Sequence, residues 1–137
     1  MVKISKATQK EALTEEWRAF THQHYGSGTR WIEKHYRFKA EENGKIVGTI
    51  DGRYEPGVLH IAALMVKEDT RGKGIGTMLI NKAEEFGKKR GAHRTWLSTG
   101  VGWPSGIFYE KLGFTIMAHL PDFYFHKDFV IYTRLIN

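Results

Sequence analysis

Residues 58–66 read Val-Leu-His-Ile-Ala-Ala-Leu-Met-Val, and soon after them Arg71-Gly72-Lys73-Gly74-Ile75-Gly76-Thr77 runs straight into a helical pattern. This junction constrains the fold more than any other stretch of the chain. An apolar run broken only by His60 suits a central strand buried on both faces. Beyond the glycines, Ile75, Met78, Leu79, Ala83 and Phe86 fall on one face of a helix. Glu84–Lys88 and Glu85–Lys89 are i,i+4 pairs on its other face, and Gly91 is a natural stop. A strand that turns through glycines into an amphipathic helix must lay that helix back on its sheet, so a layered α/β arrangement follows.

The flanking segments extend the pattern. Residues 2–5 read as a short strand, and Thr8 with Glu11 has capping-box spacing ahead of a helix striped by Leu13, Trp17 and Phe20. Gly26-Ser27-Gly28 ends that helix, and residues 31–36 suggest a second, short one. Residues 36–41 then alternate, Asn43-Gly44 supplies a type I′ turn, and residues 46–50 return as a strand; Pro56-Gly57 is a second turn. After the glycine-led helix come a strand at 95–98, a helix at 104–112 begun by Pro104 and closed by Gly113, and strands at 114–120 and 129–135. Mixed α/β order of this kind predicts a twisted, mostly antiparallel sheet with helices on both faces.

Composition narrows the function classes. A chain of 137 residues is the size of one domain, and 41% hydrophobic with 26% charged residues is ordinary globular usage. There is no cysteine, which excludes disulfides, thiolate metal sites and an acyl-cysteine intermediate. No apolar run approaches the roughly 18 residues of a membrane-spanning helix, and residues 1–10 lack a signal-peptide pattern, so a cytoplasmic protein without membrane contact is the expectation. The formal net charge of +6 is spread along the chain, which suggests an anionic ligand without naming it. The seven histidines show no His-x-x-x-His or carboxylate companion at metal spacing, so no metal is predicted.

The glycine-rich junction says where that anion belongs. A helix N-terminus offers unpaired N–H groups and the positive end of the dipole, and glycines ahead of it let the backbone come close. Arg71 and Lys73 add charge at the same place. The P-loop requires a lysine before the Thr, which Gly76-Thr77 lacks, and the dinucleotide fingerprint fails at Thr77 counting from Gly72 and at Leu79 counting from Gly74. The pattern that fits is Arg-x-x-Gly-x-Gly, in Arg71-Gly72-Lys73-Gly74-Ile75-Gly76. It resembles the coenzyme A pyrophosphate motif of the GNAT acetyltransferase superfamily. Ile107-Phe108-Tyr109-Glu110-Lys111-Leu112-Gly113-Phe114 resembles the same superfamily's helix-to-strand segment, and the element order is similar over essentially the whole chain.

The resemblance implies one N-acetyltransferase domain over residues 1–137, with a seven-stranded sheet and about four helices. It implies transfer of acetyl from acetyl-coenzyme A to a primary amine by direct attack in a ternary complex, with no metal. The backbone of Leu64, Met65 and Val66 would hold the pantetheine arm and thioester, and that of Arg71, Gly72, Lys73, Gly74, Ile75, Gly76 and Thr77 the pyrophosphate. Tyr109 would protonate the departing thiolate. The base is open among His60, which stands where one branch of the family has a glutamate, another residue, and ordered water. Two departures matter: Ser98 stands where another branch keeps a glutamate, and Gly102 where a coenzyme-binding asparagine is frequent. They keep alive a coenzyme A-binding regulatory module without turnover. A nucleic-acid-binding domain is disfavoured because the aromatics follow core periodicity. The acceptor, small molecule or protein, and the choice between monomer and homodimer stay open, as does the role of the aromatic loop at 123–126.

Overall fold

Two dipeptides shape the first half of the sheet. Asn43 (φ 52°) and Gly44 (φ 76°) both take the left-handed backbone that a type I′ turn requires, so β1 (Lys34–Glu42) folds back on β2 (Lys45–Glu55). Pro56 and Gly57 (φ 84°) then return the chain as β3 (Val58–Val66). The computed structural model describes residues 1–137, which form two compact units, Met1–Trp31 and Ile32–Asn137.

The first unit holds one helix, α1 (Thr14–Tyr25). The capping-box residues do meet, with the Thr8 N–H donating to Glu11 Oε1 at 2.9 Å, but they close an isolated turn and the helix begins at Thr14. Leu13, Trp17 and Phe20, expected as a core stripe, are exposed; Phe20 instead stacks on His24 at 4.0 Å. Residues 2–5 do not form the expected strand, having no ladder partner.

The second unit is a six-stranded sheet in the order β1-β2-β3-β4-β6-β5, with β4 (Arg94–Gly100), β5 (Thr115–Leu120) and β6 (Phe129–Leu135). All neighbours are antiparallel except β3 and β4. The short helix expected at 31–36 is absent: Tyr36, Phe38 and Ala40 alternate inward, and sheet pairing takes the segment from Lys34. The count is thus six strands and three helices rather than seven and four, within the same α/β class.

Two helices cover one face of this sheet. α2 (Ile75–Lys88) buries Ile75, Leu79, Ile80 and Ala83, while Met78 stays exposed. Gly87 lets it pack closely on β3, because a Cβ there would lie 3.0 Å from Leu59. α3 (Pro104–Lys111) packs on β4, and the Phe114 N–H donates back to the Tyr109 carbonyl at 3.1 Å to end it. Ile50, Leu59, Ile80, Leu97 and Phe114 are the largest fully buried apolar side chains, each worth about 1.5–3 kcal/mol by burial. No helix is long and apolar enough to cross a membrane.

Candidate active site

β3 and β4 pair only at Val58↔Arg94, Leu59↔Thr95 and His60↔Trp96, and beyond that point they part. β3 continues to Val66 bonded to β2 alone, while β4 continues to Gly100 bonded to β6 alone. The parting coincides with a bulge. Asp51 faces Ala63 and Gly52 faces Ile61, so Ala62 is an extra residue on β3. Bulges bend and twist the strand that carries them.

This changes the reading of the apolar run. Leu59 and Ile61 are buried, but Ala62, Ala63 and Met65 are exposed, so only the first half of β3 is the buried central strand that the sequence suggests. The second half forms one wall of a cleft of about 570 Å³. Leu64, Met65 and Val66 line it, with Arg71, Gly72, Gly74, Ile75, Gly76 and Thr77 at one end. Pro104, Ser105, Phe108 and Tyr109 of α3 close the other side.

The glycine-rich end is built to meet an anion. Gly72 (φ 83°) and Gly74 (φ 79°) hold left-handed backbone with open space where a Cβ would stand, so glycine is needed there for conformation. Gly74 caps α2 without any side-chain hydrogen bond, and no acidic residue lies in the first turn. The first backbone bond of the helix runs from the Met78 N–H to the Gly74 carbonyl, leaving the N–H groups ahead of it aimed out of the helix end. Arg71 is tied to the cleft wall by its Nε–H, which donates to the Val66 carbonyl at 3.0 Å. Donors, dipole and an arginine around open space fit a pyrophosphate. Lys73 is the predicted residue missing from the lining. Its ammonium lies 3.4 Å from Glu42 at the end of β1, a solvent-exposed pair worth little.

At the other end, Tyr109 is 6% exposed and packs edge-on against Phe108 and Phe114. Burial raises its phenol to about 12, so at neutral pH the hydroxyl keeps its proton and can donate it. Three lining residues were not predicted. Ser105 shares a 2.6 Å hydrogen bond with Thr99 and holds the start of α3 on β4. Phe108 packs where a Cβ on residue 76 would stand, 3.0 Å away, so Gly76 serves helix contact as well as the turn. Pro104 was visible as a helix start, but nothing local placed it in a cleft.

His60 is not among the cleft-lining residues. Its neighbours Leu59 and Ile61 point into the core, so strand alternation turns the imidazole to the opposite face. There it lies on Trp96 with ring centres 4.0 Å apart, and Arg53 Nη1 is 3.4 Å from Nδ1. An arginine can only donate, so Nδ1 accepts and the ring proton sits on Nε2. Burial, then the Arg53 charge, lowers the imidazole to about 4. It is therefore neutral at pH 7, with its lone pair already engaged. The aromatic loop before β6 has Phe123 and Tyr124 packed on Phe129, while Phe125 is 94% exposed and left-handed (φ 53°).

Comparison with known proteins shows the family and the fold. Residues 6–114 match the model of the Acetyltransferase (GNAT) family. An uncharacterized N-acetyltransferase of Methanocaldococcus jannaschii is 41% identical over 96 residues, 62% of this chain and 42% of that protein, so the chain spans under half of this relative's length. N-alpha-acetyltransferase 30 of Schizosaccharomyces pombe is 30% identical over 127 residues, 88% of this chain and 81% of the relative. Among solved structures, an aminoglycoside 6′-N-acetyltransferase complexed with coenzyme A superposes with a TM-score of 0.65 at 22% identity, covering 75% of this chain and 73% of its own.

Proposed function

The chain belongs to the acetyltransferase (GNAT) family, and from that premise we propose that it transfers an acetyl group from acetyl-coenzyme A to a primary amine. The observation that carries this reading is the parting of β3 from β4 beside an uncapped helix N-terminus. It supports a cleft with backbone donors for a pyrophosphate at one end and a buried, protonated phenol at the other.

In this reading the backbone from Arg71 to Thr77 binds the pyrophosphate, and Leu64, Met65 and Val66 hold the pantetheine arm as an added strand-like partner. All of these residues but Lys73 line one cleft. Acetyl-coenzyme A supplies the activated acyl group. The neutral amine nitrogen forms a bond to the thioester carbonyl carbon and the carbon–sulfur bond breaks. Tyr109 gives its proton to the sulfur, the amine loses one to water, and the resulting phenolate takes a proton back from water, so the enzyme is regenerated. A neutral amine is needed, whereas a free α-amine titrates near 7.7–8.0 and a lysine amine near 10.4. His60, with Nδ1 held by Arg53, is read here as a packing residue behind the strand rather than the base. The acceptor class is left to experiment, since relatives carry names as different as an N-alpha-acetyltransferase and an aminoglycoside acetyltransferase.

The test is the unfolding temperature with and without acetyl-coenzyme A, beside an Arg71→Ala, Gly74→Ala double variant. A ligand that binds only the folded state stabilises by RT ln(1 + [L]/Kd), about 2.7 kcal/mol at a hundredfold excess over Kd. An upward shift absent from the variant supports the reading, and no shift at millimolar ligand overturns it. A protein that binds but turns over no amine in a broad acceptor screen would be the regulatory module instead.

A further inference from the structure

Tyr36 of β1 is 5% exposed, yet its hydroxyl crosses β2 to donate to the His60 carbonyl at 2.8 Å. The ring reaches there because Tyr36 pairs with Gly52, and Gly52 has no side chain in the way. A Cβ on residue 52 would lie 1.9 Å from the His60 oxygen and 2.6 Å from the Tyr36 hydroxyl. Nothing in the backbone of Gly52 demands glycine, since its φ is not positive. The demand is for space, at one carbonyl. That carbonyl belongs to the last residue of β3 that pairs with β4, and the extra residue Ala62 follows two positions on. A bulge leaves groups outside the ladder, and the part-buried His60 carbonyl, just ahead of it, takes its donor from Tyr36.

We infer that Tyr36, Gly52 and the Ala62 bulge form a lock that fixes the angle at which β3 leaves β4, making Tyr36 a positioning residue for the arm of the cofactor held by residues 64–66. The inference rests on the cofactor reading above. Tyr36 is not among the residues that line the cleft, and its phenol is kept protonated, hence a lasting donor, chiefly by burial. The ring itself is anchored on Phe38 and Phe86, so removing the hydroxyl alone leaves the packing in place. Without the lock the His60 carbonyl can turn, and the bulge and the residues after it lose their fixed direction. The pyrophosphate loop, attached at the far end of the strand and held by α2, keeps its own geometry.

The experiment compares wild type with Tyr36→Phe by amide hydrogen exchange and by binding of two ligands. The ligands are acetyl-coenzyme A and 3′-phospho-ADP, the nucleotide part without the pantetheine arm. Loss of one hydrogen bond predicts about tenfold weaker acetyl-coenzyme A binding with 3′-phospho-ADP affinity unchanged. Exchange at residues 62–64 should speed about tenfold, with Leu59 unaffected. Gly52→Ala, which crowds the same carbonyl from the other side, should give the same pattern. Unchanged exchange and unchanged affinities overturn the lock. Equal weakening of both ligands overturns the positioning role, because general damage does not spare one end of a site. A wild type that binds neither ligand overturns the cofactor reading, and the positioning role with it, while faster exchange in Tyr36→Phe would still establish the lock itself.

Discussion

The sheet carries two concavities on its helical side, and the larger one is the less promising. A groove of about 850 Å³ lies between α2 and the end of β6, against about 570 Å³ for the cleft. The groove is floored by groups that satisfy one another. Arg134 donates to both Glu84 oxygens at 2.9 and 2.6 Å and to the Leu112 carbonyl, and Thr95 adds a 2.6 Å bond to Glu84. The cleft holds the opposite inventory: an uncapped helix start and a strand edge that has left its neighbour. A site is marked by polar groups with capacity left over, and volume is a poor guide to it.

That contrast can be broken by experiment. The largest effect is expected in the cleft, where Tyr109→Phe should lower kcat about 10²–10⁴-fold with little change in the KM for acetyl-coenzyme A. A fall confined to KM would deny the phenol a chemical role. Arg134→Leu in the groove should cost about 3 kcal/mol in chemical denaturation by leaving Glu84 buried and unpaired, with ligand affinity intact. If affinity falls too, the two regions are coupled and the contrast fails. Arg71→Ala with Gly74→Ala should weaken acetyl-coenzyme A about ten- to a hundredfold, read by calorimetry, through a lost charged donor and a strained left-handed turn.

The smallest effect concerns His60. Its folded value of about 4 lies below the ordinary 6.5, so between those values the unfolded chain binds more protons. Stability is therefore full above about 6.5 and declines as pH falls toward 4, by about 1 kcal/mol after solvent screening. His60→Gln should flatten that part of the melting-temperature curve and leave the pH–rate profile of acetyl transfer unmoved. A rate limb that disappears in the variant would restore the imidazole as the base.

How far the site was legible follows from the range of each interaction. Gly72 and Gly74 declare themselves because a left-handed backbone is a local demand, and Asn43-Gly44 does so for the same reason. The stretch from Val58 through Lys88 carries strand, turn and helix signals that agree with one another; the strand bounds match, while the helix ends at Lys88, short of the stop expected at Gly91. Residues 31–36 misled because a short apolar pattern fits a helix until β2 offers Tyr36 and Phe38 a sheet to join. Ser105 and Phe108 were missed because their place in the cleft depends on where α3 lands, and the Lys73 side chain's pairing with Glu42 was hidden because the two lie 31 residues apart in the chain.

By itself, then, the sequence determined the strand–glycine–helix junction and the class of fold, since φ preferences and periodicity act within a few residues. Only the tertiary structure decided that an apolar strand would be half core and half open wall, that His60 would turn away from the cleft, and that Gly52 would be required for space. Those outcomes depend on which strand pairs with which and where the pairing stops, and partners distant in the chain set both.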